Sequence, residues 1–378
     1  MMPPHENLDE NMARSGGAAS RARGWWGGRA QSNMNRFLTI LLLVFLYSVP
    51  LWMGNLYVLH VLITTGIFTI AAMSLNLLLG YTGQLSLGHV AFFGIGAYTS
   101  SLVSLGFEVH LLPNLAVAMS PKPVWLGMLA GVVVAGFFGW AIGRLSFRVR
   151  GAYFVIVTVS FAEVVHLVAL NWVELTQGPM ALNNIPALKL DIPGIVELSF
   201  LRKPANYTLV LSVAILTYII IRRLINSRAG RAMIALRENE PLATSVGVDV
   251  TKYLVLATIV SAAIAGAAGA LYAHYVRIVD PDVFLFIYTV TMVIMVVTGG
   301  KGTLEGPVVG GLIFGLLPET LRAFKIDPEI QWIVYGVLMV LVVYFLPEGI
   351  VPAVRNWRKD RSGTETIANA PAAKEGAT

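Results

Sequence analysis

"SLNLLLGYTGQLSLGHVAFFGIGAYTS" occupies Ser74–Ser100. It opens as an apolar run, breaks at Tyr81, Thr82, Gly83, Gln84, Ser86, Gly88 and His89, and then turns apolar again. Hydrocarbon cannot hydrogen-bond a freed N–H or C=O, so such a break must sit at a membrane surface or be enclosed by protein. Reading the break therefore decides whether the chain is merely anchored in a bilayer or built through one.

The rest of the chain favours the second. Of 378 residues, 56% are hydrophobic and 13% charged, and the mean hydropathy is +0.71. A soluble domain carries roughly 25% charged residues, and a large soluble core would still need polar cover. Composition thus implies an all-α, polytopic integral membrane protein. Thirty-six glycines suit that class, because small residues let membrane helices approach closely. The absence of cysteine excludes disulfides, thiolate metal sites and cysteine nucleophiles. The net charge of +6 does not point to nucleic acid, since the basic residues border apolar runs as membrane topology requires.

A span needs about 20 apolar residues. Ten candidates follow, at 37–53, 56–80, 90–105, 124–143, 152–170, 206–221, 253–275, 283–298, 303–317 and 330–346. With the N-terminus inside, the inner segments 1–36, 81–89, 144–151, 222–252, 299–302 and 347–378 hold 20 of the 27 Lys and Arg, and the outer segments hold 7. This bias matches the positive-inside rule and places both termini in the cytoplasm. A re-entrant hairpin in place of the short third span would move Arg144, Arg148, Arg150, Arg222, Arg223, Arg228, Arg231 and Arg237 outside, so the charges argue for a full crossing. Residues 1–36 read as a disordered cytoplasmic tail. As a signal peptide their charged region is too long, and no small-x-small site follows Met53. The membrane domain is expected at 37–352, with a long inner loop at 222–252 and a second disordered tail at 353–378.

No catalytic constellation is visible. "GGKGT" at Gly299–Thr303 fails the phosphate-loop pattern, because Gly302 follows Lys301 and no glycine stands five residues before Gly300. The six histidines form no clustered ligand set. The expectation is a non-enzyme with no metal and no cofactor. Glu163 stands deep inside an expected span, in "VSFAEVVHLVAL", with His166 one turn away. An ionisable group in hydrocarbon costs several kcal/mol unless paired or hydrated. Positions i and i+3 share a face, so the two can turn together toward the bundle interior. They read either as a pathway or proton-relay pair, or as a structural pair bonded to neighbouring helices.

A second stretch, "MVVTGGKGTLEGPVVGGLIFG" at Met295–Gly315, repeats the pattern of an apolar span, a glycine-rich break and a glycine-rich span. Both breaks follow an even-numbered span and so fall toward the cytoplasm. They read as a degenerate internal repeat or as simple tight packing. Together with the intramembrane pair they define a candidate translocation path: Asn76, Gly83, Gln84, Ser86, His89, Glu163, His166, Gly299, Gly300 and Gly302. In the inner loop "RRLINSRAGRAMIALRENEPLATSVGVDVTKY", Arg222–Tyr253, Asn239 can cap a short helix, Pro241 suits its first turn and Gly247 its end. About seven residues of helix are unstable alone, so it should dock on something.

At this point the residues point to a family. "RAMIALRENEPLATSVGVDVTKYLVLATIVSAAIAGAAGALYAHYV", "LNLLLGYTGQLSLGHVAFFGIGAYTS", "GAYFVIVTVSFAEVVHLVALNW" and "GGKGTLEGPVVGG" resemble the permease subunits of branched-chain amino acid ABC importers. The likeness runs from about Leu56 to Pro352. It implies a subunit in a bacterial-type inner (plasma) membrane, paired as a heterodimer with a homologous second permease. Two cytoplasmic ATPase subunits would hydrolyse the ATP, and a periplasmic or extracellular binding protein would deliver a small hydrophobic, branched-chain amino acid. By the same resemblance the coupling region holds Arg231, Arg237, Glu238, Asn239, Glu240, Pro241, Ala243 and Gly247. The generic importer signature is Glu-Ala-Ala, three residues, then Gly. Here Pro241, Leu242, Ala243 and Gly247 align with it, and only Ala243 and Gly247 match. A second departure is Gln177, Gly178, Pro179, Met180, Ala181, where family members often carry Gly-Gly-Pro-x-Gly. Urea, amides and aromatic acids are alternative cargoes in the same class. A proton-coupled secondary transporter using Glu163 and His166 is the rival from another class.

Overall fold

The computed structural model describes residues 40–112, 115–147, 152–192, 196–200 and 202–357. The tail expected at 1–36 and the far end of the tail expected at 353–378 lie outside the described residues. The chain divides into two units, Met1–Gly54 and Asn55–Thr378. The first contributes one described apolar helix, α1 (Ile40–Trp52).

In the second unit, α2 (Leu56–Asn76) runs on into a π-helical segment, Leu77–Thr82. There follow α3 (Val90–Leu105), α4 (Val124–Ser146), α5 (Ala152–Asn171), the single turn α6 (Val173–Thr176), α7 (Lys203–Ile225), α8 (Arg228–Glu238), α9 (Glu240–Ser245), α10 (Val250–Val276), α11 (Phe286–Gly299), α12 (Gly306–Ala323) and α13 (Pro328–Phe345). Residues 350–357 are also helical, so the folded chain continues past the boundary expected at Pro352. Each expected span falls on one of these helices. Five of them (α2 with its π extension, α4, α5, α7 and α10) are long and apolar enough to cross a membrane unaided. α3 is one unbroken helix of 16 residues rather than a hairpin.

Composition gave no warning of two small antiparallel strand pairs: β1 (Phe107–Leu112) with β2 (Leu115–Met119), and β3 (Lys189–Ile192) with β4 (Val196–Ser199). A two-stranded pair is marginal alone. β1 packs beside α6 and β3 beside α4. In those connections the strands pair backbone groups that a helix would otherwise satisfy.

Within the second unit the helix ends alternate. At one end Tyr57 of α2 bonds to Glu319 of α12, Lys203 at the start of α7 donates to the Leu56 carbonyl at 3.2 Å, and the His60 ring lies 2.6 Å from the Tyr275 hydroxyl of α10. At the other end the α2 terminus meets the α11–α12 turn and α8. α2 and α10 are mostly buried, whereas α5 and α7 bury only a minor part of their residues. The centre is closed by small residues. A Cβ on Gly96 of α3 would lie 2.2 Å from the Gly266 carbonyl of α10, and one on Gly131 of α4 would lie 2.8 Å from the Gly96 carbonyl. Three helix backbones meet there because no side chain intervenes.

Candidate functional site

The first break is a change of helix type followed by a turn. α2 keeps its α geometry to Asn76, widens into the π segment and stops at Gly83, whose φ of +74° is the left-handed conformation that glycine adopts freely. π segments are rare and often mark functional positions. The last turn of any helix leaves carbonyls without an onward partner, and here those include the Gly80 carbonyl.

The second break lies against the first. α11 ends at Gly299, and residues 300–305 turn the chain into α12. Asn76 reaches across with both ends of its amide: Oδ1 accepts the Gly302 N–H at 3.0 Å, and Nδ2 donates to the Thr303 carbonyl at 2.8 Å. A Cβ on Gly80 would lie 2.3 Å from the Gly302 nitrogen, so the two backbones meet with nothing between them. Within the turn, Thr303 Oγ1 donates to the Gly300 carbonyl at 2.7 Å and accepts the Gly306 N–H at 3.0 Å.

The inner loop supplies the third side. Ser227 caps α8 by accepting the Gly230 N–H, and Asn239 caps α9 by accepting the Leu242 N–H at 3.0 Å. Pro241 lies in the first turn of α9, and Gly247, at φ +89°, follows its end. The sequence reading anticipated α9 but not α8. Met233, Leu236 and Ala243 turn inward, Met233 against Leu77, Leu78 and Tyr81, and Leu236 and Ala243 against Leu254. Arg237, in the last turn of α8, donates Nη1 to the Gly80 carbonyl at 2.7 Å. Its Nε donates to Glu238 Oε1 at 3.1 Å, and Nη2 pairs with the same oxygen. Outward, Leu242 and Val246 are 63% and 74% exposed.

The structure thus joins two groups of residues that the sequence kept apart: Asn76, Gly83, Gly299, Gly300 and Gly302 from the path, and Arg237 from the coupling loop. Other candidates lie elsewhere. His89 and Ser86 are buried. The His89 Nε2 lies 2.7 Å from Ser74 Oγ, and Ser261 of α10 donates to the Ser74 carbonyl at 2.5 Å, so this is a tie between α2, α3 and α10 within the packing. Gln84 is half-exposed in the turn.

Glu163 and His166 do form the expected pair, at 3.6 Å, but the glutamate does not turn into the bundle interior with the histidine. His166 is 16% exposed while the Glu163 side chain is 64% exposed. α5 packs through Phe154, Thr158, Ala162 and Ala169, and Glu163, one residue on from Ala162, falls outside that stripe. Ser160 and Asn171 are exposed as well. Tyr153, Ile156, Val164, Leu167 and Val168 of α5 are exposed beside them, as are Leu126, Leu129, Val133, Phe137 and Trp140 of the neighbouring α4.

Residues that the sequence reading missed are Gly80 and Thr303 as carbonyl acceptors, and Ser74, Ser261, Ser100 and His274 as internal ties. The last two bond at 2.7 Å, and His274 Nδ1 lies 2.8 Å from the Pro186 carbonyl. A carbonyl acceptor leaves no mark in a sequence. The histidine, in a span at 253–275, was open to notice.

Apolar helices joined by hydrogen-bonded breaks define a polytopic membrane protein. The chain belongs to the family described as branched-chain amino acid transport system / permease component, whose model matches residues 57–343. It is 32% identical over 326 residues to the high-affinity branched-chain amino acid transport system permease protein LivM of Salmonella typhimurium, covering 79% of this chain and 71% of that protein. It is 27% identical over 290 residues to the LivH permease protein of the same organism, covering 75% of this chain and 91% of that one. A probable branched-chain amino acid transport permease protein LivM of Methanocaldococcus jannaschii is 26% identical, with 77% and 92% covered. No solved structure matches the chain significantly. The chain is therefore a membrane permease component of an importer.

Proposed function

We propose that this permease serves an ATP-driven importer in which α8 and α9 dock on a cytoplasmic ATPase. The observation that carries this is the α9 ridge. A helix of six residues cannot hold itself together, yet α9 is capped, anchored by buried Ala243 and left with Leu242 and Val246 facing outward. Such a ridge suits a groove on another protein. Glu238, Glu240, Pro241 and Gly247 border it, with Arg231 further back on α8. The alternation of helix ends supports the ten-span order, in which α8, α9 and both breaks face the cytoplasm and both termini lie inside. The membrane domain is then 37–352, in a bacterial-type inner membrane.

Similarity to both LivM and LivH supports a heterodimer with a second, related permease. The names of the relatives bring a small branched-chain amino acid as cargo, handed over by an extracytoplasmic binding protein. The α5 face supports a path along the boundary with the second permease. A carboxylate turned to hydrocarbon costs about 2.5–3.5 kcal/mol on insertion scales, so water or protein covers Glu163.

Co-expression with ATPase and binding-protein subunits encoded in the same genome, followed by purification and reconstitution in vesicles, tests the reading. The expected result is co-purifying ATPase and leucine-stimulated ATP hydrolysis, with association weakened by Leu242→Ser and Val246→Ser. Leucine uptake in ATP-free vesicles under a proton gradient, abolished by Glu163→Gln, would instead establish the proton-coupled mechanism.

A further inference from the structure

Arg237 stands where three separate pieces of chain converge. Its Nη1 holds the Gly80 carbonyl at the end of α2. A Cβ on Gly302 would lie 2.6 Å from that same Nη1, and a Cβ on Gly83 would lie 3.1 Å from Cγ of the arginine stem. The guanidinium is thus seated between both breaks, in room that exists because positions 83 and 302 are glycines. Asn76 closes the opposite side by tying α2 to Gly302 and Thr303. Only Asn239 separates Arg237 and Glu238 of α8 from the first residue of α9.

From this geometry we infer that Arg237 is a positioning residue that makes α8–α9 and the two breaks move as one piece. The inference rests on the importer reading above. α9 is joined covalently to α8 and α10, but α2 and the α11–α12 turn lie more than a hundred residues away along the chain on one side and about fifty on the other. A push on α9 reaches those breaks only through contacts across space. Met233 supplies apolar contacts to Leu77, Leu78 and Tyr81, which can slide. A charge-assisted hydrogen bond to one named carbonyl has a fixed direction and length, and the arginine fork can hold Gly80 on one arm and Glu238 on the other. The π segment and the Gly300–Gly302 turn are the parts of α2 and α11–α12 whose backbone geometry departs from the α-helix. They are the places where a small displacement can be taken up without breaking a regular helix. Arg237 thereby delivers the stroke of the partner ATPase to the positions able to change shape.

The test compares wild-type, Arg237→Ala, Arg237→Lys and Asn76→Ala chains, each purified with its ATPase, reconstituted in vesicles with the binding protein and supplied with leucine. The measured quantities are the amount of ATPase recovered and the ATP hydrolysed per leucine imported. The expected result for Arg237→Ala is ATPase recovered at the wild-type level and at least a tenfold rise in ATP used per leucine. Arg237→Lys, which keeps a charge but not the fork, should fall between. Asn76→Ala attacks the junction from α2, away from the docking face, and should raise the ratio as well. A wild-type ratio in both Arg237→Ala and Asn76→Ala overturns the inference and leaves the importer reading standing. So does loss of bound ATPase in all three variants, since that would mark a docking or folding role. A wild-type chain that recovers no ATPase overturns the importer reading, and this inference with it.

Discussion

Asn76 and Glu163 are both polar residues in otherwise apolar spans, and the chain treats them in opposite ways. Asn76 is almost wholly buried, and both ends of its amide are bonded to backbone more than two hundred residues away. Glu163 projects from α5 with His166 3.6 Å away and most of its carboxylate side chain uncovered. The first is complete within one chain. The second is complete only when something else covers α5. In an apolar solvent an unsatisfied polar group costs several kcal/mol, so the same rule reads Asn76 as an internal joint and Glu163 as an external one.

That contrast can be broken most violently at the joint itself. Gly80→Val would place a branched side chain where a single Cβ already lies 2.1 Å from Asn76 Oδ1 and 2.3 Å from the Gly302 nitrogen. Loss of folded, monodisperse protein in size-exclusion chromatography is expected. Gly336, which has nothing within 4 Å of its Cβ position, should accept alanine with no change in elution, and an equal effect at both sites would show that the joint is not close-packed.

A milder change keeps the backbone and removes the bonds. Asn76→Leu leaves the Gly302 N–H and the Thr303 carbonyl without their partner, and an abandoned buried group costs about 1–3 kcal/mol. The detergent-solubilised chain should lose about 2–3 kcal/mol of stability, read as a lowered Tm. An unchanged Tm would mean that the two breaks are held by packing alone. Ser74→Ala removes the hydroxyl beside His89. Its cost should be smaller, about 1 kcal/mol, in line with the modest worth of polar pairs between membrane helices.

The smallest stability effect belongs to the external residue. Glu163→Leu should change the Tm of the isolated chain little, within about 0.5 kcal/mol, as for exposed positions generally. The same substitution should sharply reduce leucine uptake by the assembled transporter. A large stability loss in the isolated chain would make Glu163 an internal residue after all and erase its difference from Asn76.

The sequence reading of these two residues fell short for a common reason. Periodicity places Glu163 and His166 on one helix face, and they do meet, but periodicity does not say which way that face turns. The packing stripe through Thr158, Ala162 and Ala169 decides it. Likewise the two glycine-rich breaks were visible as breaks, while their contact was not. Asn239, Pro241 and Gly247 were legible as helix punctuation because capping is local. α8 was overlooked because its apolar residues form one short run, Ala232–Leu236, between Arg231 and Arg237.

By itself the sequence determined where the apolar helices lie, since hydropathy acts on each segment against the same solvent regardless of its neighbours. It also determined the positions of the caps and breaks, and through four ordered motifs the family. The tertiary structure alone decided that Arg237, Asn76, Gly80 and Gly302 share one joint, and that Glu163 stands outside the bundle. Hydrogen bonds between distant segments have no local cause. They exist only after helix packing has brought a particular donor to within 3 Å of a particular carbonyl.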